Sequence, residues 1–381
     1  MWFQILCVNR GPVVHNGIVW TTTTMRQQGG TMPHAPSTAR KRVLYYDVLN
    51  VVACFGVVAM HFNGLVYAYS PTFDWFQALF VDCFFYWAVP VFFMLTGATL
   101  LGYRDKYDTK TFFSKRLRRV AVPFLAWSLI ALVWKVATGQ MEPPVGPRSL
   151  IDLVFNTKII DVYWFFIPLL AIYLCLPALT ELREKRATLW YLAIAASIFN
   201  VALPTLFEWA GIEYNANAFL PIASGFLTYV LLGYLLKDAR ISKRRRAAIY
   251  AAGIAAFLVR YLVTIALSLR DGELNMLFWG YTYNNPTVYL EALAVFVFAR
   301  HVSWERLLRT ESARRRLASV AGCSFGIYLT HMFVFWYGLL LTGLQGADLA
   351  WRTAGPVVTY ALCLAIVTCA KRVPGLRALF P

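Results

Sequence analysis

Apolar positions along the chain fall into ten long runs, separated by shorter polar or basic stretches. The runs lie near residues 45–69, 77–102, 119–137, 161–180, 187–207, 219–236, 247–269, 277–299, 317–342 and 353–370. A helix rises about 1.5 Å per residue, so runs of about 17–25 residues match about 30 Å of hydrocarbon. The pattern predicts an all-α polytopic membrane protein with about ten transmembrane helices. Residues 1–44 break the pattern. They contain "TTTTMRQQGGTMPHAPSTARKR", which is polar and aperiodic and predicts a disordered tail. The opening "MWFQILCVN" is too short for the apolar region of a signal peptide, and Met25 and Met32 are further candidate starts. The expected organisation is a tail over 1–44, a membrane domain over 45–372 and a short tail over 373–381. The connection at 138–160 holds the Pro/Gly-rich "GQMEPPVGPRS", and that at 208–218 is acidic, with Glu208 and Glu213. No internal repeat is visible, so the inverted-repeat sign of many transporters is missing.

Composition agrees. The 381 residues are 59% hydrophobic, 16% aromatic and 14% charged, with a mean hydropathy of +0.55. A soluble domain is about 45–50% apolar. The net charge of +17 raises the question of nucleic acid, and its distribution answers it. With a cytoplasmic N-terminus, the inner segments are 1–44, 103–118, 181–186, 237–246, 300–316 and 371–381. Together with Arg119 they carry 30 of the 36 Lys and Arg. The exceptions are Lys135, Arg148, Lys158, Arg260, Arg270 and Arg352. This asymmetry predicts both termini in the cytoplasm and an even number of spans. It also explains the basic pI without a nucleic-acid partner. The seven cysteines form no close pair, and six lie in predicted spans. They read as reduced, small apolar residues, and no metal site is expected.

Charged groups inside spans are costly, so they usually face the protein interior and mark function. The candidates are Asp47, His61, Asp82, Arg260, Glu291 and His331. In the first run, Asp47, Asn50, Cys54 and His61 are spaced to share one narrow helical face. His61 lies about 24 Å from the start of its helix, and His331 about 21 Å along a helix of the same direction. The two histidines are therefore expected at similar depth, with Asp82 not far away. Each polar group has a plain alternative. A lone histidine can simply fix packing, and Asp82 and Glu291 can be structural partners of Arg260. Thr96 and Ser324 read as helix-packing hydroxyls. Tyr163 and Trp164 read either as interface anchors or as walls of a site.

The stretch "YRDKYDTKTFFSKRLRRV" concentrates Lys115, Arg116, Arg118 and Arg119 just before Pro123. One reading is ordinary inner-face charge, with contact to anionic lipid. The other is a phosphate site, because guanidinium forks suit phosphate oxygens. The sequence has no GxxxxGK[ST] loop, which argues against a nucleotide-driven pump.

Five stretches together resemble the acyltransferase-3 family of integral membrane acyltransferases. They are "YYDVLNVVACFGVVAMHF", "VPVFFMLTGATLLGY", "FFSKRLRRVAVPFLAWS", "YWFFIPLLAIYLCLP" and "SFGIYLTHMF", in order over about residues 42–372. The likeness is to bacterial O-acetyltransferases of surface polysaccharides. Two departures stand out. Thr96-Gly97 occupies the place of the usual Ser-Gly, and Asn50 stands where many members carry Arg, eleven residues before the histidine. Asn50 donates a hydrogen bond without bringing charge, and Arg260 is the candidate replacement.

The resemblance implies an acyltransferase in a bacterial cytoplasmic membrane. Its donor would be cytoplasmic acetyl-CoA or another acyl-CoA, used as a co-substrate with no permanently bound cofactor. Its acceptor would be a hydroxyl of a cell-surface or lipid-linked saccharide. Lys115, Arg116, Arg118 and Arg119 would hold the charged end of CoA. His61 would act as base or as the carrier of an acyl-histidine, with His331 assisting. Asp47, Asn50, Asp82, Arg260 and Glu291 would support the site, and Tyr163 and Trp164 would meet the acceptor. The rival expectation is a transporter or flippase for a lipid-linked saccharide, using the same buried charges as a pathway.

Overall fold

The computed structural model describes residues 42–381, apart from 216, 219, 224 and 278–282. The chain divides into two units, Met1–Arg42 and Val43–Pro381. The predicted tail over 1–44 therefore falls almost entirely outside the described residues.

The described residues of the second unit form helices and turns, with no strand among them. Eight helices are long and apolar enough to cross a membrane. We number the bundle helices in chain order, including two shorter ones. They are α1 Leu44–Phe62, α2 Phe73–Asp105, α3 Thr109–Ala137, α4 Asp161–Leu182, α5 Arg186–Trp209, α6 Leu227–Leu236, α7 Lys243–Asp271, α8 Pro286–His301, α9 Ser324–Thr342 and α10 Leu349–Ala370. Each of the ten apolar runs thus holds a bundle helix, but α6 has 10 residues and α8 has 16. At about 1.5 Å per residue, α6 is about 15 Å long, half of a hydrocarbon core. Large apolar side chains such as Val133, Leu340 and Leu341 are exposed on the outside of the bundle, where lipid would cover them.

Boundaries differ from expectation for physical reasons. The first run is helical only to Phe62, after which Gly64–Tyr67 forms a 3-10 turn. The ninth run is split. Glu311–Ala321 is a separate helix, and α9 begins only at Ser324, after Gly322 and Cys323. The basic stretch is helix, not loop. Asp108 accepts the Thr111 N–H at 3.0 Å and caps α3, so residues 109–121 continue into the apolar part.

Three prolines shape the bundle. A proline lacks an N–H and its ring crowds the carbonyl four residues earlier. Pro90 faces the carbonyl of Tyr86, where the helical pattern of α2 is interrupted. Pro123 and Pro204 each follow a π-helical turn, Leu117–Ala121 in α3 and Ile198–Ala202 in α5. The wider turn absorbs the carbonyl that proline leaves free.

Two glycines let α2 and α6 touch backbone to backbone. A Cβ on Gly97 would run into the backbone of Val230, and one on Gly233 into the backbone of Met94. Membrane helices use small residues for such close approach, since no hydrophobic effect drives them together. The Thr-Gly of the sequence motif therefore has a packing reason: Gly97 makes the contact and Thr96 donates to its own helix at Phe92 O. Helix α1 sits at the centre of the unit and packs against α2, α8, α9, α10 and Glu311–Ala321.

Candidate functional site: a histidine pair between two helices

Helices α1 and α9 meet along a polar seam. Cys54 Sγ lies 3.4 Å from Ser324 O. Seven residues further on each helix, His61 Nδ1 lies 2.8 Å from His331 Nε2. Two turns of helix return a side chain to nearly the same face, which is why one register satisfies both contacts. The imidazoles are close to parallel, at 16° with centroids 5.0 Å apart.

The hydrogen bonds define the roles of the four ring nitrogens. His331 Nδ1 lies 2.7 Å from Tyr328 O. A carbonyl only accepts, so His331 Nδ1 carries the hydrogen. In a neutral His331 the Nε2 is then a lone pair, and His61 Nδ1 donates to it. A neutral His61 with its hydrogen on Nδ1 has a bare lone pair on Nε2. That nitrogen has no hydrogen-bond partner among the described residues. His331 is fully buried, whereas His61 is only half-buried. The arrangement therefore offers one accessible base, backed by a second imidazole that holds its tautomer.

The aromatic stretch at the start of α4 fixes α9 next to this pair. Tyr163 donates its hydroxyl to Leu329 O at 2.6 Å, and Tyr328 donates in return to Val162 O. Tyr163 is buried, so its hydroxyl is committed to holding α9. Trp164 is half-buried and stacks on Tyr283, 5.5 Å between centroids at 20°. Tyr283 stacks in turn on Tyr86 at 4.4 Å, and the Arg260 guanidinium lies 3.8 Å from the centre of the Tyr86 ring.

The other expected residues are placed as follows. Asp47 is buried near the start of α1, and Asn50 is half-buried one turn on. Asp47 is fourteen residues from His61, about 21 Å along the helix, so it acts at a different level. Asp82, Arg260 and Glu291 are buried on α2, α7 and α8, within electrostatic reach of one another. They form a second polar cluster, joined to Trp164 by the stacked tyrosines. The basic stretch divides in two. Lys115 lies 3.8 Å from the centre of the Tyr107 ring, and Arg116 lies 5.7 Å from that of Tyr173. Arg118 and Arg119, on the π-helical turn, are exposed.

One set of residues was not anticipated. Arg352, on α10, is buried and donates from Nε to Ala347 O at 3.0 Å and from Nη1 to Asp74 O at 2.9 Å. It also contacts the Gln77 side chain and forms an ion pair with the Asp74 carboxylate. Its own carbonyl accepts from Asn63 Nδ2 at 3.3 Å. Asn63 caps α1 two residues after His61, so Arg352 ties the histidine-bearing helix end to the starts of α2 and α10. Phe62 completes the joint against Trp351, in space left by Gly355. The available signal was Arg352 itself, a cation in an apolar run outside the basic segments.

An all-helical membrane protein with a paired imidazole between two spans is a scaffold for proton-transfer chemistry inside a bundle. The acyltransferase domain of the acyltransferase-3 family matches residues 43–370, and the chain belongs to that family of membrane acyltransferases. No curated protein and no solved structure gives a significant match.

Proposed function

We propose that the chain is an O-acyltransferase that moves an acetyl group from cytoplasmic acetyl-CoA to a saccharide hydroxyl of the cell envelope. The observation that carries this reading is the His61–His331 pair, with its bare and accessible His61 Nε2. The charge asymmetry supports a cytoplasmic side for both termini. The basic part of α3 then receives the nucleotide end of CoA, which hydrocarbon would exclude. Arg118 and Arg119 are the exposed phosphate contacts, with Arg116 and Lys115 packed behind them on aromatic rings. The thin pantetheine arm reaches between the helices toward His61.

In the chemical step, His61 Nε2 takes the proton of the acceptor hydroxyl as its oxygen attacks the thioester carbonyl. The positive charge on His61 is shared through Nδ1–H with His331 Nε2. The tetrahedral intermediate collapses, the C–S bond breaks, and the leaving sulfur takes the proton from His61. The products are an acyl ester and CoA with a free thiol. Trp164 and its stacked tyrosines offer a flat face for the sugar ring, while Tyr163 and Tyr328 hold α9 in place. Asp47 and Asn50 line the donor's path lower on α1. Arg260 provides the positive charge that Asn50 does not, with Asp82 and Glu291 as its buried neighbours.

The test is CoA release from labelled acetyl-CoA by purified protein, with a cell-envelope acceptor fraction present. Release that requires acceptor and disappears in a folded His61→Ala variant supports the reading. Saccharide movement across proteoliposomes without consumption of any acyl-CoA would replace it with a flippase.

A further inference from the structure

A pocket of about 330 Å³ opens where α5 begins, α6 ends and α7 begins, well away in the sequence from α1 and α9. Its walls include Ala193, Leu232, Leu236, Ile249 and Leu293, all apolar. From Trp190 to Ser197 it follows two turns of α5, so it is about 10 Å deep. Its floor holds two hydroxyls, Ser197 and Tyr289. Ser197 Oγ donates to Ala193 O at 2.6 Å, which leaves its lone pairs for the Tyr289 hydroxyl at 2.5 Å. Both hydroxyl hydrogens are therefore used, and the floor has no free donor. Such a space suits a hydrocarbon chain. It suits a sugar or the amides of pantetheine less well, since most of their polar groups would enter without partners.

The mouth has the opposite character. Arg240 and Arg245 are exposed and line it, and no carboxylate does. Lys243 and Arg244 lie on the same basic turn at the start of α7. The nearest acid in sequence, Asp238, lies 4.0 Å from Lys237 Nζ and does not line the pocket. A tail-sized apolar space beneath two arginines matches a molecule with a hydrocarbon end and an anionic head.

We propose that this pocket binds an anionic phospholipid, with its phosphate at Arg240 and Arg245 and an acyl chain between α5, α6, α7 and α8. The site is separate from the histidine pair and does not depend on what that pair does. A lipid here would fill the space beside α6, the shortest of the bundle helices, and hold the α5–α6 pair against α7–α8.

The experiment uses the full chain purified in mild detergent, read by native mass spectrometry and by melting temperature. The probes are phosphatidylglycerol, phosphatidylcholine, inorganic phosphate and acetyl-CoA, each added alone. The expected result is one retained phosphatidylglycerol per chain and a raised melting temperature. An arginine near an anionic headgroup contributes about a factor of five, so Arg240→Gln with Arg245→Gln should weaken retention about twenty-five-fold. Ile249→Trp, which fills the pocket and leaves the arginines, should also remove the lipid-dependent rise. Equal retention of phosphatidylcholine, retention unaffected by both variants, or an equal rise with phosphate alone would overturn the proposal. Displacement of the lipid by acetyl-CoA would also overturn it and give the pocket to the acyl donor.

Discussion

His61 Nδ1 lies 2.8 Å from His331 Nε2, across two helices that touch again seven residues earlier at Cys54 and Ser324. The pair is thus held by the register of α1 against α9, and its polarity is imposed by the Tyr328 carbonyl. This makes the two histidines unequal. His61→Ala should lower acyl transfer by about 10²–10⁴-fold, the usual worth of a general base, in a protein that still folds. His331→Gln keeps an acceptor oxygen for His61 Nδ1 and should retain more turnover than His331→Leu, which does not. The check is CoA release at saturating acetyl-CoA for the three variants. Equal loss in the Gln and Leu variants would deny His331 its role in holding the tautomer.

Arg352 should matter to both stability and turnover. It joins the ends of α1, α2 and α10 through hydrogen bonds from a buried guanidinium. Hydrogen bonds to charged groups contribute about 1.5–3 kcal/mol each, and a buried polar group left alone costs more. Asp74 is half exposed and can turn to water, which limits the loss. Arg352→Met is therefore expected to cost about 2–4 kcal/mol, seen as a lower melting temperature. In the surviving folded fraction, kcat should fall while KM for the donor stays constant, because the displaced group is His61. A rise in KM together with the fall in kcat would point to a wider collapse of the outer ends.

How much of this was legible in the sequence depends on the range of the interaction. Spans were legible because hydrocarbon demands long apolar runs, and all ten runs hold bundle helices. His61 and His331 do share a level, but residue count placed only His61 correctly: α9 begins at Ser324, so His331 lies about 10 Å along its helix and not about 21 Å. Their contact was not legible, since nothing local fixes which helix lies beside α1. The Arg352 joint was hidden for the same reason: its partners on α2 are 275 and 278 residues away. The short length of α6 was missed because 219–236 is largely apolar, and the turn signals in it, Pro221 and Gly225, were not weighed against that run. Residues 103–118 were set apart from the spans by their charge, but a capping Asp108 starts the helix at Thr109 and carries it through the basic residues.

Backbone contact between α2 and α6 makes a separate prediction about packing. Gly97 and Gly233 face Val230 and Met94 main-chain atoms, which cannot rotate away as a side chain would. Gly97→Ala must push the helices apart, at a cost of about 1–3 kcal/mol typical of overpacking. Gly139, in a connection with open space around it, is a poor control because its φ of 68° is itself glycine-like. Gly346 has open space and no positive φ, so Gly346→Ala should leave the melting temperature unchanged. Equal effects of the Gly97 and Gly346 changes would show that the α2–α6 contact is slack.

The basic end of α3 should act on donor affinity and leave the chemical step alone. Arg118 and Arg119 are exposed on the π-helical turn before Pro123. Arg116 instead lies over aromatic rings and buries its Nε. A phosphate contact from a guanidinium is a charge-assisted hydrogen bond, worth about 1.5–3 kcal/mol where solvent is excluded and less where it is not. Arg118→Gln and Arg119→Gln should each raise KM for acetyl-CoA by about three- to tenfold, with kcat unchanged. The effect should shrink as salt rises, since exposed charges are screened over about 8–10 Å at ordinary ionic strength. Arg116→Gln should behave differently, losing stability because the aromatic bed of Phe112 and Tyr173 is left without its cation. A salt-independent KM, or a fall in kcat from Arg118→Gln or Arg119→Gln, would separate this face of α3 from the donor.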